Sequence, residues 1–164
     1  MASNFPALDQ LGETSRARLE QALDTFVPAI SAAPRLSQAM RYAALSGGKR
    51  IRPLLVYGAA QLAGAEPGKA DVPAAAVELI HAYSLVHDDL PAMDDDGVRR
   101  GRATAHVVYG EGVAILAGDA LLTHAFVVLA RRRSDTPPGF DQRRLRAIAR
   151  VAEAAGAAGM VGGQ

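Results

Sequence analysis

The stretch ELIHAYSLVHDDLPAMDDDGVRRGR, residues 78–102, decides how this chain folds and what it can hold. Its first half is apolar on most sides (Leu79, Ile80, Tyr83, Leu85 and Val86), the pattern of a helix buried in the centre of a bundle. Pro91 stops that helix. Five carboxylates, Asp88, Asp89, Asp94, Asp95 and Asp96, then fall within nine residues, and Arg99, Arg100 and Arg102 follow at once. Carboxylates this close repel one another unless a cation shares the site. Guanidinium forks answer the acids in part and also match phosphate oxygens. Acids that share a hard cation, beside arginines that hold phosphate, equip a chain to handle a diphosphate ester.

Asp88 and Asp89 sit at a helix C-terminus, the wrong end of the dipole for negative charge, which points to something positive bound there. Pro91 lets Asp94 fold back toward Asp88. Oxygen ligands without sulfur or paired histidines favour Mg²⁺ over Zn²⁺, and the spacing is not that of a calcium loop. Five acids alone also describe a solvated acidic loop. His81 precedes Asp88 by nearly two turns, with Ser84 between them, so the three project from one helix face. A core histidine with one satisfied hydrogen bond and a cavity-lining histidine both fit that placement.

A second constellation is Gly47-Gly48-Lys49-Arg50-Ile51-Arg52-Pro53. The glycines let backbone approach a ligand, and Lys49 and Arg52 bring cations to a helix start. P-loop spacing is absent. Around these motifs the chain reads as helical: about Glu13–Ser31 with Leu19, Leu23, Phe26 and Ile30 in phase, Ser37–Leu45, Pro53–Leu62, Val72–Asp89 capped by Asp71, Gly112–Leu129, and a last helix from near Asp141. Residues 131–141, with Pro137-Pro138-Gly139, read as a surface connection. No strand is expected, because no alternating run is bounded by hairpin signals.

The 164 residues suffice for one domain with a real core, and no repeat or linker divides them. With 18 basic against 17 acidic residues there is no global field for nucleic acid or anionic membrane. The absence of cysteine excludes disulfides, thiolate metal sites and a cysteine nucleophile. No secretory signal opens the chain, and the apolar runs are interrupted short of a membrane span, so a soluble cytoplasmic protein without a membrane anchor is expected.

Taken in order, Gly47 to Pro53, Glu78 to Asp96, Arg99-Arg100-Gly-Arg and Leu116-Ala-Gly-Asp-Ala-Leu-Leu122 resemble the trans-isoprenyl diphosphate synthases, nearest the bacterial farnesyl diphosphate branch. The resemblance runs from about residue 40 to Gln164. It implies an all-α, isoprenoid synthase-type helical bundle, of which residues 1–164 form the N-terminal half as one domain. It implies a Mg²⁺-dependent prenyltransferase that condenses isopentenyl diphosphate with an allylic diphosphate (dimethylallyl or geranyl) to farnesyl diphosphate, working as a homodimer. By the same resemblance Asp88 and Asp94 hold Mg²⁺, with Asp89 supporting, and Arg99 holds the allylic diphosphate. Lys49, Arg52, His81 and Arg100 match the isopentenyl diphosphate pocket. No residue serves as a covalent catalyst. Tyr83, about 7.5 Å down the helix from Asp88, resembles the aromatic that limits product length in short-chain members. Members are roughly twice this length and carry a second aspartate-rich motif, so a fragment or truncated chain with little turnover of its own is expected. Geranylgeranyl diphosphate synthesis and a non-catalytic diphosphate-binding subunit are the alternatives.

Overall fold

A computed structural model describes residues 6–131 and 139–164. Helix α1 (Pro6–Phe26) starts earlier than its apolar periodicity suggested and stops short of Ser31. Pro28 ends it, because a proline offers no amide hydrogen and pushes the preceding residue out of the helical region. The chain then turns on Ser37, whose buried hydroxyl donates to the Pro28 carbonyl (3.0 Å) and accepts the Ile30 amide (3.0 Å). Helix α2 (Pro34–Ala44) opens with a proline in its first turn, and α3 (Ile51–Leu62) starts just before the expected Pro53.

Helix α4 (Asp71–Asp88) is the buried central helix that its composition requires, with Ala74, Ala75, Ala76, Leu79, Ile80, Ala82, Tyr83 and Val86 all in the core. Asp71 does not cap it. The position before the helix is Ala70, with no side-chain cap, and the Asp71 carboxylate takes two bonds from Arg18 (2.9 and 2.8 Å) and one from the Tyr57 hydroxyl (2.9 Å). A bidentate, charge-assisted pair outcompetes an amide cap. Burial, reinforced by Asp71, pushes the Tyr57 hydroxyl well above its ordinary range.

After the acidic turn come two paired strands that the sequence did not announce, β1 (Val98–Arg99) and β2 (Arg102–Ala103), antiparallel with Val98 opposite Ala103. Their two-residue loop, Arg100-Gly101, has φ 54° and 75°, the mirror-image turn that suits strand twist. Here arginine takes the place usually given to asparagine or aspartate. Helix α5 (Ala105–Tyr109) leads to α6 (Glu111–Ala130), which packs chiefly on α4 and also on α2 and α5. By length and apolarity α6 could span a bilayer, contrary to the expectation of short apolar runs. It nonetheless buries Ala114, Ala117, Gly118, Leu121, Ala125, Val128 and Leu129 against protein. Helices α7 (Phe140–Ala155) and α8 (Met160–Gly163) lie at the periphery, with no fully buried residue. Of the expected connection over residues 131–141, positions 132–138 lie outside the described residues.

One connected core joins α1, α2, α3, α4 and α6, led by Leu19, Leu23, Val27, Met40, Leu79 and Leu121. Much of the rest is alanine, whose small side chain lets helices approach closely. A second, smaller cluster (Val86, Leu90, Ala105 and Ala114) supports the acidic turn and the hairpin from beneath.

Candidate functional site

The C-terminal end of α4, the loop between α2 and α3, and the β1–β2 hairpin enclose one cavity. Its wall includes Arg50, Glu78, His81, Asp89, Arg99 and Arg100. Asp89, rather than Asp88, lines it with His81. Asp89 follows the helix end in helical conformation, and its buried carboxylate is drawn inward by Arg99 Nε at 2.6 Å. Ser84 is not available to a ligand as placed, since its hydroxyl donates to the His81 carbonyl one turn back (3.0 Å).

Asp88 is half-buried at the last turn of α4. The chain does fold back at Pro91, and the Asp94 amide donates to the Asp88 carbonyl at 2.8 Å. Burial first, and the negative charge of Asp94 second, hold the Asp88 carboxyl above its ordinary range. Asp94, Asp95 and Asp96 are exposed, and Asp96 accepts a 3.3 Å bond from Arg99 Nη2. Burial also raises the Asp89 carboxyl, against the opposing pull of its bond to Arg99.

No group of three or more carboxylates or histidines among the described residues converges to cage a metal. Mg²⁺ does not require such a cage. It keeps several waters and is commonly bound through one or two carboxylates together with substrate phosphates. Two neighbouring carboxylates, one of them made a poorer acid by burial and then by the other's charge, are a donor set that a hard divalent cation fits.

The cations approach the cavity from two sides. At the hairpin turn, Arg100 donates to the Gly47 carbonyl, and its guanidinium lies against Gly48. Gly48 has φ +135°, which favours glycine, and a Cβ there would sit 2.6 Å from Arg100 Cζ and 3.0 Å from Nη2, so the guanidinium would have to shift. Arg102 stacks over the Tyr42 ring at 4.5 Å, while the Tyr42 hydroxyl donates to the Ala103 carbonyl (2.7 Å), pinning the hairpin to α2. Arg50, which the sequence motif did not single out, turns inward. Its guanidinium reaches Glu20 (2.8 Å), Glu78 (2.7 Å) and the Ala44 carbonyl (3.1 Å).

Lys49 and Arg52 flank Arg50 and are both exposed. Lys49 faces a shallow cleft against α1, beside Arg16 and Pro53, and neither residue lines the His81 cavity. Arg52 is near enough to act on His81. Burial first, then the charge of Arg52, with Arg100 and Arg50 adding, hold that imidazole below its ordinary pKa, against Glu78. Among the described residues Lys49, Arg52 and Arg100 make no ion pair with a carboxylate, whereas Arg50 and Arg99 are each paired with two. Arg52 and Arg100 therefore bring uncommitted positive charge near a histidine held below its ordinary pKa, while Lys49 stands apart in the cleft against α1.

Tyr83 is buried, its ring edge-on to His87 (5.4 Å, 90°). Burial first, then the charges of Asp88 and Asp119, raises its hydroxyl pKa.

Residues 33–162 match the family model described as Polyprenyl synthetase. The farnesyl diphosphate synthase of Escherichia coli (strain K12) is 56% identical over 127 residues, 77% of this chain and 42% of that protein. That of Geobacillus stearothermophilus is 44% identical over 158 residues, 96% of this chain and 52% of that protein. Among solved structures, the geranyltransferase from Legionella pneumophila superposes with a TM-score of 0.89 at 40% identity, covering 99% of this chain and 56% of that one. The chain spans about half the length of the curated relatives it matches.

Proposed function

The chain belongs to the polyprenyl synthetase family, and from that membership we propose that it condenses isopentenyl diphosphate with dimethylallyl or geranyl diphosphate to give farnesyl diphosphate. The observation that carries the reading is the meeting of the crowded Asp88–Asp94 turn with Arg99, Arg100 and His81 at one end of α4. Similarity to two farnesyl diphosphate synthases supports the product class.

In this reading Asp88 and Asp94 hold Mg²⁺, which when bound neutralises charge developing on a departing diphosphate. Arg99, oriented by Asp89, holds the allylic diphosphate through guanidinium hydrogen bonds that strengthen as the C–O bond ionises. Lys49, Arg52, His81 and Arg100 receive isopentenyl diphosphate, whose double bond then attacks the allylic carbon. A proton leaves the new chain, and the departed diphosphate is its acceptor. No side chain forms a covalent bond to substrate. Positioning and electrostatics supply the rate, and the apolar wall keeps water from the cationic carbon. Burial, then the nearby arginines, favours the neutral form of His81 in the free site, and a bound anion would oppose that shift.

The connected core supports treating residues 1–164 as part of one domain. We further propose a homodimer working in the cytoplasm. The test is mass-spectrometric product analysis of the full gene product with dimethylallyl and isopentenyl diphosphates and Mg²⁺. A C15 diphosphate is expected. A C20 product would shift the assignment to geranylgeranyl diphosphate synthesis, and no elongated product would overturn the reading.

A further inference from the structure

Glu78 is a buried charged residue on α4, between core residues and the cavity that His81 lines. Ala74, Ala75, Leu79 and Ala82 surround it, and its side chain is only 4% exposed. One oxygen accepts from Arg50 Nη1 at 2.7 Å, while Oε2, also buried, has no hydrogen-bond partner among the described residues. Arg50 is just as buried, and a second carboxylate, the part-exposed Glu20, takes its Nε. An arrangement of this kind is a poor way to add stability. Removing two charges from water costs several kcal/mol each, and apolar side chains of similar volume commonly serve as well or better.

What the triad does hold is backbone. Arg50 has φ 52°, left-handed geometry that a non-glycine residue adopts only when its surroundings impose it. It ends a loop in which Gly47 (φ 74°) and Gly48 (φ 135°) are also positive, so little local preference fixes its path. The loop is tethered at two points: Arg100 grips the Gly47 carbonyl, and the Arg50 side chain is anchored below to α1, α2 and α4. Lys49 and Arg52, on either side of Arg50, project outward from that anchor.

We infer that Glu78 is a positioning residue for isopentenyl diphosphate: through Arg50 it sets the backbone of residues 47–52 and so the places of Lys49 and Arg52. This rests on the substrate assignment above. Glu78 stands in the wall of the cavity with its carboxylate bonded to Arg50, and its role is to hold that guanidinium rather than to bind substrate. Its unpartnered oxygen is tolerated because the carboxylate is needed to hold one guanidinium in one place.

The discriminating variant is Arg50→Met with Glu78→Leu, which fills the space with apolar atoms. In the full gene product it should melt at or above the wild-type temperature while the KM for isopentenyl diphosphate rises by on the order of tenfold, as when a supporting partner of a binding group is lost. The KM for geranyl diphosphate should stay within about twofold, because Arg99, which holds it, is oriented by Asp89 rather than by Arg50 or Glu78. Glu20→Gln, at the part-exposed end of the triad, should shift the same constant in the same direction and serves if the double variant does not fold. Glu78→Asp alone, which keeps a carboxylate opposite Arg50, should raise the same KM by less than the double variant does.

An unchanged isopentenyl KM in a stably folded double variant overturns the inference alone. Equal rises in both KM values also overturn it, since they indicate general loosening. Failure of the wild-type protein to use isopentenyl diphosphate overturns the substrate reading and this inference together.

Discussion

Gly118→Ala should destabilise the protein although alanine is the better helix former. Gly118 lies buried in α6 where that helix crosses α4. A Cβ built on it falls 2.5 Å from His87 Cδ2 and 3.0 Å from Cε1, and nearer still to Nε2. Carbon contacts settle at about 3.5–4.0 Å, so ring or helix must yield by roughly 1 Å. The ring is not free to swing. It stands edge-on to Tyr83, its Nε2 is 3.1 Å from the Ile115 carbonyl, and helical χ1 preferences leave it few rotamers. The helix-propensity gain is about 1 kcal/mol. Against it stand an overpacking cost of about 1–3 kcal/mol and about 1 kcal/mol for the lost hydrogen bond. The net loss is about 2 kcal/mol, or roughly 4–8 °C in Tm for a chain of this size. Urea and thermal unfolding followed by far-UV circular dichroism measure it. In a His87→Ala background the clash is gone, and Gly118→Ala should then stabilise by up to about 1 kcal/mol. A Gly118→Ala protein as stable as wild type, or an equal loss in both backgrounds, would refute the reasoning.

Three further outcomes are expected. Asp71→Asn should cost about 1.5–3 kcal/mol in urea unfolding, because the Arg18 fork and the buried Tyr57 hydroxyl both depend on that carboxylate; a change under half of that would show the cluster to be ornamental. His81, whose folded pKa lies below its unfolded value, contributes stability that is present above about pH 6.5 and lost as pH falls below it. His81→Gln should flatten that decline between about pH 6.5 and 5. Asp88 and Asp89, with raised folded values, act with the opposite sign at lower pH, adding stability as they protonate. Tyr83→Ala should cost about 3–5 kcal/mol as a core truncation, and in the full gene product it should lengthen the prenyl product, read by mass spectrometry. Unchanged chain length would show that Tyr83 is core packing only.

Much of the fold was legible because it follows from local chemistry. The apolar run through Val86 requires a buried helix, Pro91 requires a break, and the break returns Asp94 to Asp88, as the 2.8 Å backbone bond shows. Gly47 and Gly48 mark a close approach, and Arg100 makes it. The hairpin escaped notice because Arg-Gly is not a usual signal for a mirror-image turn; three-dimensional anchoring of Arg100 and Arg102 holds it instead. Asp71 reads as a cap only while Arg18 and Tyr57, far away in sequence, are ignored.

By itself the sequence determined the helical class, the order of the motifs, and which residue types were available for cation and diphosphate. These are periodicities and spacings within a few turns, where covalent connection limits the outcomes. Only the tertiary structure decided how charge is divided: Asp89 committed to Arg99, Arg50 taken inward by Glu20 and Glu78, and Lys49, Arg52 and Arg100 left without carboxylates. Such pairing joins residues as far as 30 positions apart for Arg50 and Glu20 and 53 for Arg18 and Asp71, and no local pattern encodes it. A charge finds its partner by packing geometry and desolvation, and both exist only once the helices have come together.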